Sequence, residues 1–457
     1  MKRYLASAAV AIAMPVCLAA PAMAQDASAD QDELRSELAQ MRSQMAAMAE
    51  RIDSLQTRLE AADAKAEQAN TSAEQANAAV ASAATSSPVV GHLQNKDGVT
   101  FTPFGRLQID AGVVNGPDSI DDPGLGFAKE IRRARVGFKG DIPGGFGYQM
   151  ELEFASGDLE VMDAYLRYSA GDTTYKIGQH NNFQSLEELT SSRFTSFMER
   201  AAFTDAFDFE RKVGISVSRE KGDLLMEGGF FSDNLDNLQL DENNSWSVDA
   251  RTAYAPKVGN AQLHIGGSVH YREFNDASDT TRYRQRPELH ITDTRFMDTG
   301  KFLADSELGY GLESAAILGR FHFEGEAYWQ HVDRPGALAN PTFFGGSAEM
   351  GLFLTKGDKR GYKGFKFDRV KPAHPLGEGG FGAVQANLRY DYLDLNEGTI
   401  QGGIQNAYAA SLIWTPTEYT RLMLEYSHME YDDMPILAGT KSDYGVDSIG
   451  MRAQVDF

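Results

Sequence analysis

The amino-acid sequence predicts an all-β fold, a 16-stranded antiparallel transmembrane β-barrel preceded by an N-terminal α-helical coiled coil. Two periodicities and one count carry that expectation. From Phe101 to Phe457 apolar and polar residues alternate in runs of period two, the mark of strands with one apolar and one wet face. The runs number sixteen. Between Leu34 and Val80 the apolar residues step instead by four and three in turn.

Residues 1–24 read as a secretory signal. Lys2 and Arg3 supply the charge, Leu5 to Val16 the apolar stretch, and Ala22, Met23 and Ala24 the small-x-small cleavage site. The stretch is short for a membrane anchor and is broken by Pro15. Val16 ahead of Cys17 does not fit a lipoprotein. Cleavage after Ala24 removes Cys17, the single cysteine, so export rests on the signal and not on cysteine usage.

Residues 25–81 are expected to form a coiled coil. Leu34, Leu38, Met41, Met45, Met48 and their successors to Leu59 make the seam, and Ala62 to Val80 continue its register. A helix lying on its own domain needs a wider apolar face than this two-in-seven stripe. At ~1.5 Å per residue the seam extends about 70 Å. Its alanine-lined second half packs little apolar volume and is the looser half. Residues 82–100 follow as a polar linker broken by Pro88 and Gly91.

No stretch of the mature chain offers the ~18 apolar residues that a membrane helix needs, yet it is rich in Phe, Tyr and Gly. An exported chain of that kind crosses a membrane as a closed barrel, with its apolar band hidden in every second residue. In "FGYQMELEF" the apolar side is Phe146, Tyr148, Met150, Leu152 and Phe154; in "VQANLRYDY" Val384, Ala386, Leu388, Tyr390 and Tyr392 oppose Gln385, Asn387, Arg389 and Asp391. Runs of about ten residues suit a tilted membrane strand better than a soluble sandwich.

The runs lie near 102–114, 131–140, 146–155, 160–169, 173–179, 211–219, 223–231, 246–255, 261–272, 308–318, 320–331, 346–355, 382–393, 404–414, 419–430 and 447–457. An even count brings both ends to one side, as bacterial barrels require. "DIPGG", "SAGD", "REKGD" and "APKVGN", after the even-numbered runs, are short turns. They mark that side as periplasmic and place residues 25–81 there. The last run alternates to its end because it closes on the first, with Phe457 inside the ladder.

Three connections are too long to be turns. The first, "QHNNFQSLEELTSSRFTSFMERAAFTDAFDFE", carries recurring aromatic and apolar residues. A loop with its own buried side chains is commonly functional, and this one is expected to constrict the lumen. The second holds Arg282, Arg284 and Arg286, which share a side if extended. Guanidinium groups fork toward phosphate or carboxylate oxygens; a solvated loop with Glu288, Asp293 and Asp298 as partners is the open alternative. The third joins the twelfth and thirteenth runs, where a short turn is expected, and carries Lys356, Lys359, Arg360, Lys363, Lys366, Arg369 and Lys371. On a chain of net charge −22 this basic segment either concentrates anions at a pore or binds lipid phosphate or peptidoglycan.

"IRRARVGFKGDIPGGFGYQMELEFA", "YKIGQHNNFQSLEELTSSRFTSFMER", "RYRQRPELHITDTRFMDTG" and "MGLFLTKGDKRGYKGFKFDRVKP" resemble the phosphate-selective porin O and P family, from about Phe101 to Phe457. The resemblance implies a trimeric sixteen-strand barrel in a Gram-negative outer membrane, with inward loops whose arginines and lysines bind phosphate or polyphosphate. It implies Phe457 as part of the barrel assembly signal and favours a lumenal position for the arginine array. The residues expected to line the pore or bind anions are Arg282, Arg284, Arg286, Arg193, Arg200, Arg133, Arg135, Lys359 and Lys363. Glu187, Glu188, Glu199, Asp205 and Asp208 in the first long loop, with Glu151, Glu153, Glu349 and Asp391 on the lumenal face, depart from a purely cationic lining and leave the solute open.

The negative net charge argues against nucleic acid as a partner. The nine histidines fall in no nucleophile or metal-ligand motif, so no enzyme activity, metal or cofactor is expected; His264 and His270 read as lumen-lining. The expectation is passive diffusion of small anions through a homotrimer set in outer-membrane lipids. The alternative is a general or weakly selective porin whose coiled coil also tethers the outer membrane to peptidoglycan. Sixteen strands exceed what a mere anchor needs, since eight close a barrel.

Overall fold

The computed structural model describes residues 93–155, 157–235, 245–274 and 280–457. The signal expected at 1–24, the coiled coil expected at 25–81 and the first part of the 82–100 linker lie outside the described residues. Within that linker, Leu93–Gln94 pairs with the start of the first barrel strand, Leu93 opposite Phe101.

Sixteen strands make the wall: β1 Thr100–Asn115, β2 Gly126–Ile142, β3 Phe146–Glu153, β4 Glu160–Ala170, β5 Thr173–Asn181, β6 Arg211–Lys221, β7 Leu224–Phe231, β8 Trp246–Tyr254, β9 Ala261–Glu273, β10 Ser306–Leu318, β11 Phe321–Asp333, β12 Thr342–Phe353, β13 Ala383–Glu397, β14 Ile400–Thr417, β15 Thr420–Asp432 and β16 Tyr444–Asp456. Each pairs antiparallel with the next, and β16 returns to β1 from Arg106 opposite Asp456 to Asn115 opposite Asp447. Closure leaves none of these sixteen wall strands as an edge with unpaired backbone groups, which lipid could not satisfy. Phe457 exchanges hydrogen bonds of 3.1 Å in both directions with Gly105. A Cβ on Gly105 would meet the Phe457 ring at 2.8 Å, so glycine is what lets the ring lie on that strand.

The wall is inverted relative to a soluble protein. Leu107 and Ile109 are exposed while Arg106, Gln108 and Asp110 between them are buried; Leu422, Leu424 and Tyr426 are exposed against buried Arg421, Glu425 and Ser427. Apolar residues facing outward suit a hydrocarbon solvent. Aromatic pairs ring the outer face at both ends. Phe146, Tyr168 and Tyr175 stand together at one end, and Phe230–Trp246–Tyr271 and Tyr310–Trp329–Phe344 at the other, the girdle positions of a bilayer interface.

The start of β1 and the end of β16 define the near end of the barrel. Turns there are tight, with Gly171 and Gly222 at positive φ in the first position of two-residue hairpins. Residues 354–382 are the exception at this end. They fold back into the barrel as a small hairpin, Gly361–Tyr362 against Phe367–Asp368, whose Phe365 carbonyl accepts a 3.1 Å hydrogen bond from Arg251. From the far end, residues 182–210 enter the lumen carrying two short helices, α1 Leu186–Leu189 and α2 Ala202–Ala206. Residues 280–305 pack over α2, where Phe203, Phe207, Tyr283, Phe296 and Met297 share one apolar core.

Candidate functional site

Residues 182–210 form a lumenal loop whose backbone must find hydrogen-bond partners away from bulk water. The inward faces of β11–β16 supply them. Carboxylates accept from its N–H groups: Glu326 from Leu186 and Glu187 at 3.0 and 2.7 Å, Glu425 from Met198 and Asp391 from Ala202 at 2.7 Å each. Arginines donate to its carbonyls, Arg421 to Thr195 at 2.8 Å and Arg389 to Glu199 at 3.0 Å. Arg452, wholly buried, joins Asp110 at 2.7 Å to Glu199 of the loop at 2.8 Å. Arg389 binds Glu288 directly, lies 3.5 Å from Glu187 and covers the Phe197 ring at 4.4 Å.

Opposite that filled side, between the loop and β1–β8, the lumen is open. A near chamber of about 570 Å³ and a far chamber of about 320 Å³ share Arg133, Arg135, Glu188, Arg200 and Arg211 in their walls, which places these five at the neck between them. Their pairing is partial. Arg135 meets Glu153 at 2.6 Å, Arg211 meets Asp163 at 2.7 Å and Arg200 meets Glu188 at 3.2 Å. Arg133 donates to Gln108 at 2.9 Å and has its nearest carboxylate, Glu199, at 3.9 Å.

The two chambers differ in charge. Among the described residues, eleven arginines and lysines line the near chamber against five Asp and Glu side chains, whereas six face seven in the far chamber. Low-dielectric walls focus such a field along the path. Burial would raise the Glu199 carboxyl, but Arg132, Arg133 and Arg452 hold it well below the usual carboxylate range. At the neck, burial pushes the Glu188 carboxyl up in spite of Arg200.

Of the residues expected from sequence, Arg133, Arg135 and Arg200 stand at the neck, Arg193 lines the near chamber and Arg286 the far one. Arg282 and Arg284 line neither chamber, which corrects the lumenal array. The ladder pairing Arg284 with Asp298 and Gln285 with Met297 buries Tyr283 and Gln285 and leaves Arg282 and Arg284 exposed. Arg282 pairs with Asp298, and Arg286 lies 3.2 Å from Asp293 and 3.8 Å from Asp205. The shared side of Arg282 and Arg284 faces solvent. Lys359 and Lys363 are also exposed and off the chambers; the same segment sends Lys366 and Arg369 to the near chamber and buries Arg360.

His264 and His270 point inward but are covered rather than wet. His264 contacts Glu313 at 2.9 Å and the Tyr362 hydroxyl at 2.6 Å, and His270 contacts Asp249 at 2.9 Å. Among the described residues no cluster of His, Cys, Asp and Glu is arranged to hold a metal ion. Sequence reasoning missed Arg106, Arg211, Arg251 and Lys176, all lining the near chamber. The signal was present for Arg106, which shares the inward phase of Gln108 and Asp110.

The model of the phosphate-selective porin O and P family matches residues 101–457. An uncharacterized protein of Caulobacter vibrioides is 45% identical over 387 residues, covering 82% of this chain and 78% of that one. Among solved structures, the outer membrane channel DcaP of Acinetobacter baumannii superposes with a TM-score of 0.51 at 14% identity, over 81% of this chain and 100% of that chain. OmpT of Vibrio cholerae, an outer membrane protein solved in a trimer form, gives 0.51 at 11% identity, over 79% and 100%. These likenesses speak for the barrel fold.

Proposed function

This chain belongs to the phosphate-selective porin O and P family, and we propose that its outer-membrane barrel passes small anions, phosphate or polyphosphate among them, by passive diffusion. The family is one of channels and not of enzymes. One observation carries the anion reading, the excess of arginine and lysine over carboxylate around the near chamber. An anion crossing from the far chamber leaves a wall of nearly balanced charge and passes Arg133, Arg135, Arg200 and Arg211 into a positive field. Arg193 then faces it inside, with Arg286 on the approach. Arg282, Arg284, Lys359 and Lys363 act at most as screened charges at the mouths, since exposed charges beyond ~8 Å lose influence at physiological salt.

The proposal extends to the whole chain. Residues 1–24 direct export, and 25–81 form a periplasmic coiled coil linked by 82–100 to the barrel of 101–457. The barrel assembles as a homotrimer, a reading supported by the family and by the trimer form of OmpT. Phe457 serves as the assembly signal, supported by its ladder contact with Gly105. The second reading joins weak selectivity, which the carboxylates of the far chamber favour, to a coil that reaches peptidoglycan.

Planar-bilayer recording separates the two. The anion reading expects the reversal potential in a KCl gradient to report chloride preference, and added phosphate to block the chloride current. Equal permeability with no block by phosphate would leave the general porin.

A further inference from the structure

The near chamber is larger and less purely polar than an inorganic oxyanion requires. Its volume of about 570 Å³ falls within the ~300–1,000 Å³ of pockets that take small organic molecules. Phe104 from β1, Tyr165 from β4, and Phe183 and Phe194 from the lumenal loop stand in the same wall as its cations. These rings are set beside charges. The Lys139 ammonium lies 5.5 Å from the Phe104 ring, Lys176 is 5.1 Å from Tyr165, and the guanidiniums of Arg193 and Arg369 are 5.0 and 5.3 Å from Phe194.

The distribution of free charge follows the rings. Arg135, Arg200 and Arg211 at the neck each have a carboxylate partner. By contrast, no carboxylate within ion-pair distance accompanies Lys139, Lys176 or Lys366 among the described residues. The cations best able to accept a new anion are therefore lysines, two of which border aromatic surface. For a bare oxyanion, those rings displace hydrating water and return nothing. For an anion carrying a ring of its own, they offer an apolar face or edge in the offset or edge-to-face arrangements that aromatic groups prefer.

Resting on the anion-channel reading above, we propose that the near chamber is a binding site for organic anions that join a phosphate or carboxylate to an aromatic ring. The anionic group sits among Lys139, Lys176 and Arg193, whose carboxylate neighbour Asp456 is 3.7 Å away, and the ring lies against Phe104 or Phe194.

The test compares two phosphate monoesters of like charge, methyl phosphate and phenyl phosphate, as blockers of chloride current through the intact protein in planar bilayers, with inorganic phosphate as a third arm. Phenyl phosphate should half-block at a concentration at least about tenfold below methyl phosphate, a difference of about 1.4 kcal/mol. Replacing both rings, Phe104→Leu with Phe194→Leu, keeps apolar bulk and should bring the ratio toward one. Equal half-block concentrations in the unaltered protein, or an unchanged ratio in the folded double variant, overturns the ring site. If the variant loses heat-modifiable gel mobility, the ratio in the unaltered protein decides alone. Equal block by all three phosphates overturns this site and leaves the anion channel standing, whereas cation-selective reversal without block overturns both.

Discussion

The two halves of the wall use the same side chains to opposite ends. Along β11–β16, Arg389, Arg421 and Arg452 and the carboxylates of Glu326, Asp391 and Glu425 are buried against the loop and joined to its backbone or its acids. Along β1–β8, Arg106, Arg133, Arg135 and Arg211 line open chambers with carboxylates too few to balance the near one. Identical chemistry becomes an anchor where a loop fills the space and a field where water does. The loop decides which, because its N–H groups at Leu186, Glu187, Met198 and Ala202 are turned to carboxylates of β11, β13 and β15, while β1 reaches it mainly at Ser192.

Breaking the barrel at the seam between the halves should have the largest effect. Phe457 closes β16 onto β1, where the filled half ends and the open half begins. Its deletion should remove most heat-modifiable, folded barrel on gels, far beyond the loss from one exposed ring. A normal folded yield would show the residue to be dispensable.

Releasing the loop comes next. Arg389→Met with Arg452→Met leaves Glu288 and Asp110 without their arginine partners, while Glu199 keeps Arg132 at 2.8 Å. Breaking a buried pair by removing one partner costs about 3–5 kcal/mol. The variant should unfold at lower temperature and, where it inserts, show larger and noisier single-channel conductance as the loop leaves the lumen. Unaltered conductance and melting would mean the pairs do not hold it.

A smaller effect sharpens the charge difference at the neck. Because burial raises the Glu188 carboxyl, it takes up its proton above the ~4.3 of a free glutamate. As the pH falls through that raised range the neck loses a negative charge, so anion preference should rise earlier than ordinary carboxylates would produce. Glu188→Gln should show the low-pH preference at every pH and lose that inflection. A reversal potential that follows the same pH curve in both proteins would assign the titration elsewhere.

All sixteen strands were legible because lipid and lumen impose period two along most of each, bulges such as that at Arg132 aside, down to the final ladder of Ile449 to Phe457. The lumenal loop announced itself through Phe194, Phe197, Phe203 and Phe207, which need protein to pack against. Phase was harder than period. Arg282 and Arg284 do share a side, with Arg286 turned instead to the far chamber, but which side depends on the local ladder of Arg284–Gln285 with Met297–Asp298, and no spacing encodes that. Arg211 hid at the first residue of its strand, where alternation has no history. Contacts such as Arg389 with Glu288 span distant parts of the chain and exist only once the loops are folded.

The central claim is that the open half of the lumen, and not the exposed array, sets ion preference. Reversal potential in a KCl gradient tests it most directly, with Arg133→Gln, Arg135→Gln and Arg211→Gln combined in one protein and Arg282→Gln with Arg284→Gln in another. With both folded by gel mobility, the neck variant should move toward cation preference while the surface variant keeps the original potential. An unmoved neck variant, or a shift confined to the surface variant, would contradict the account.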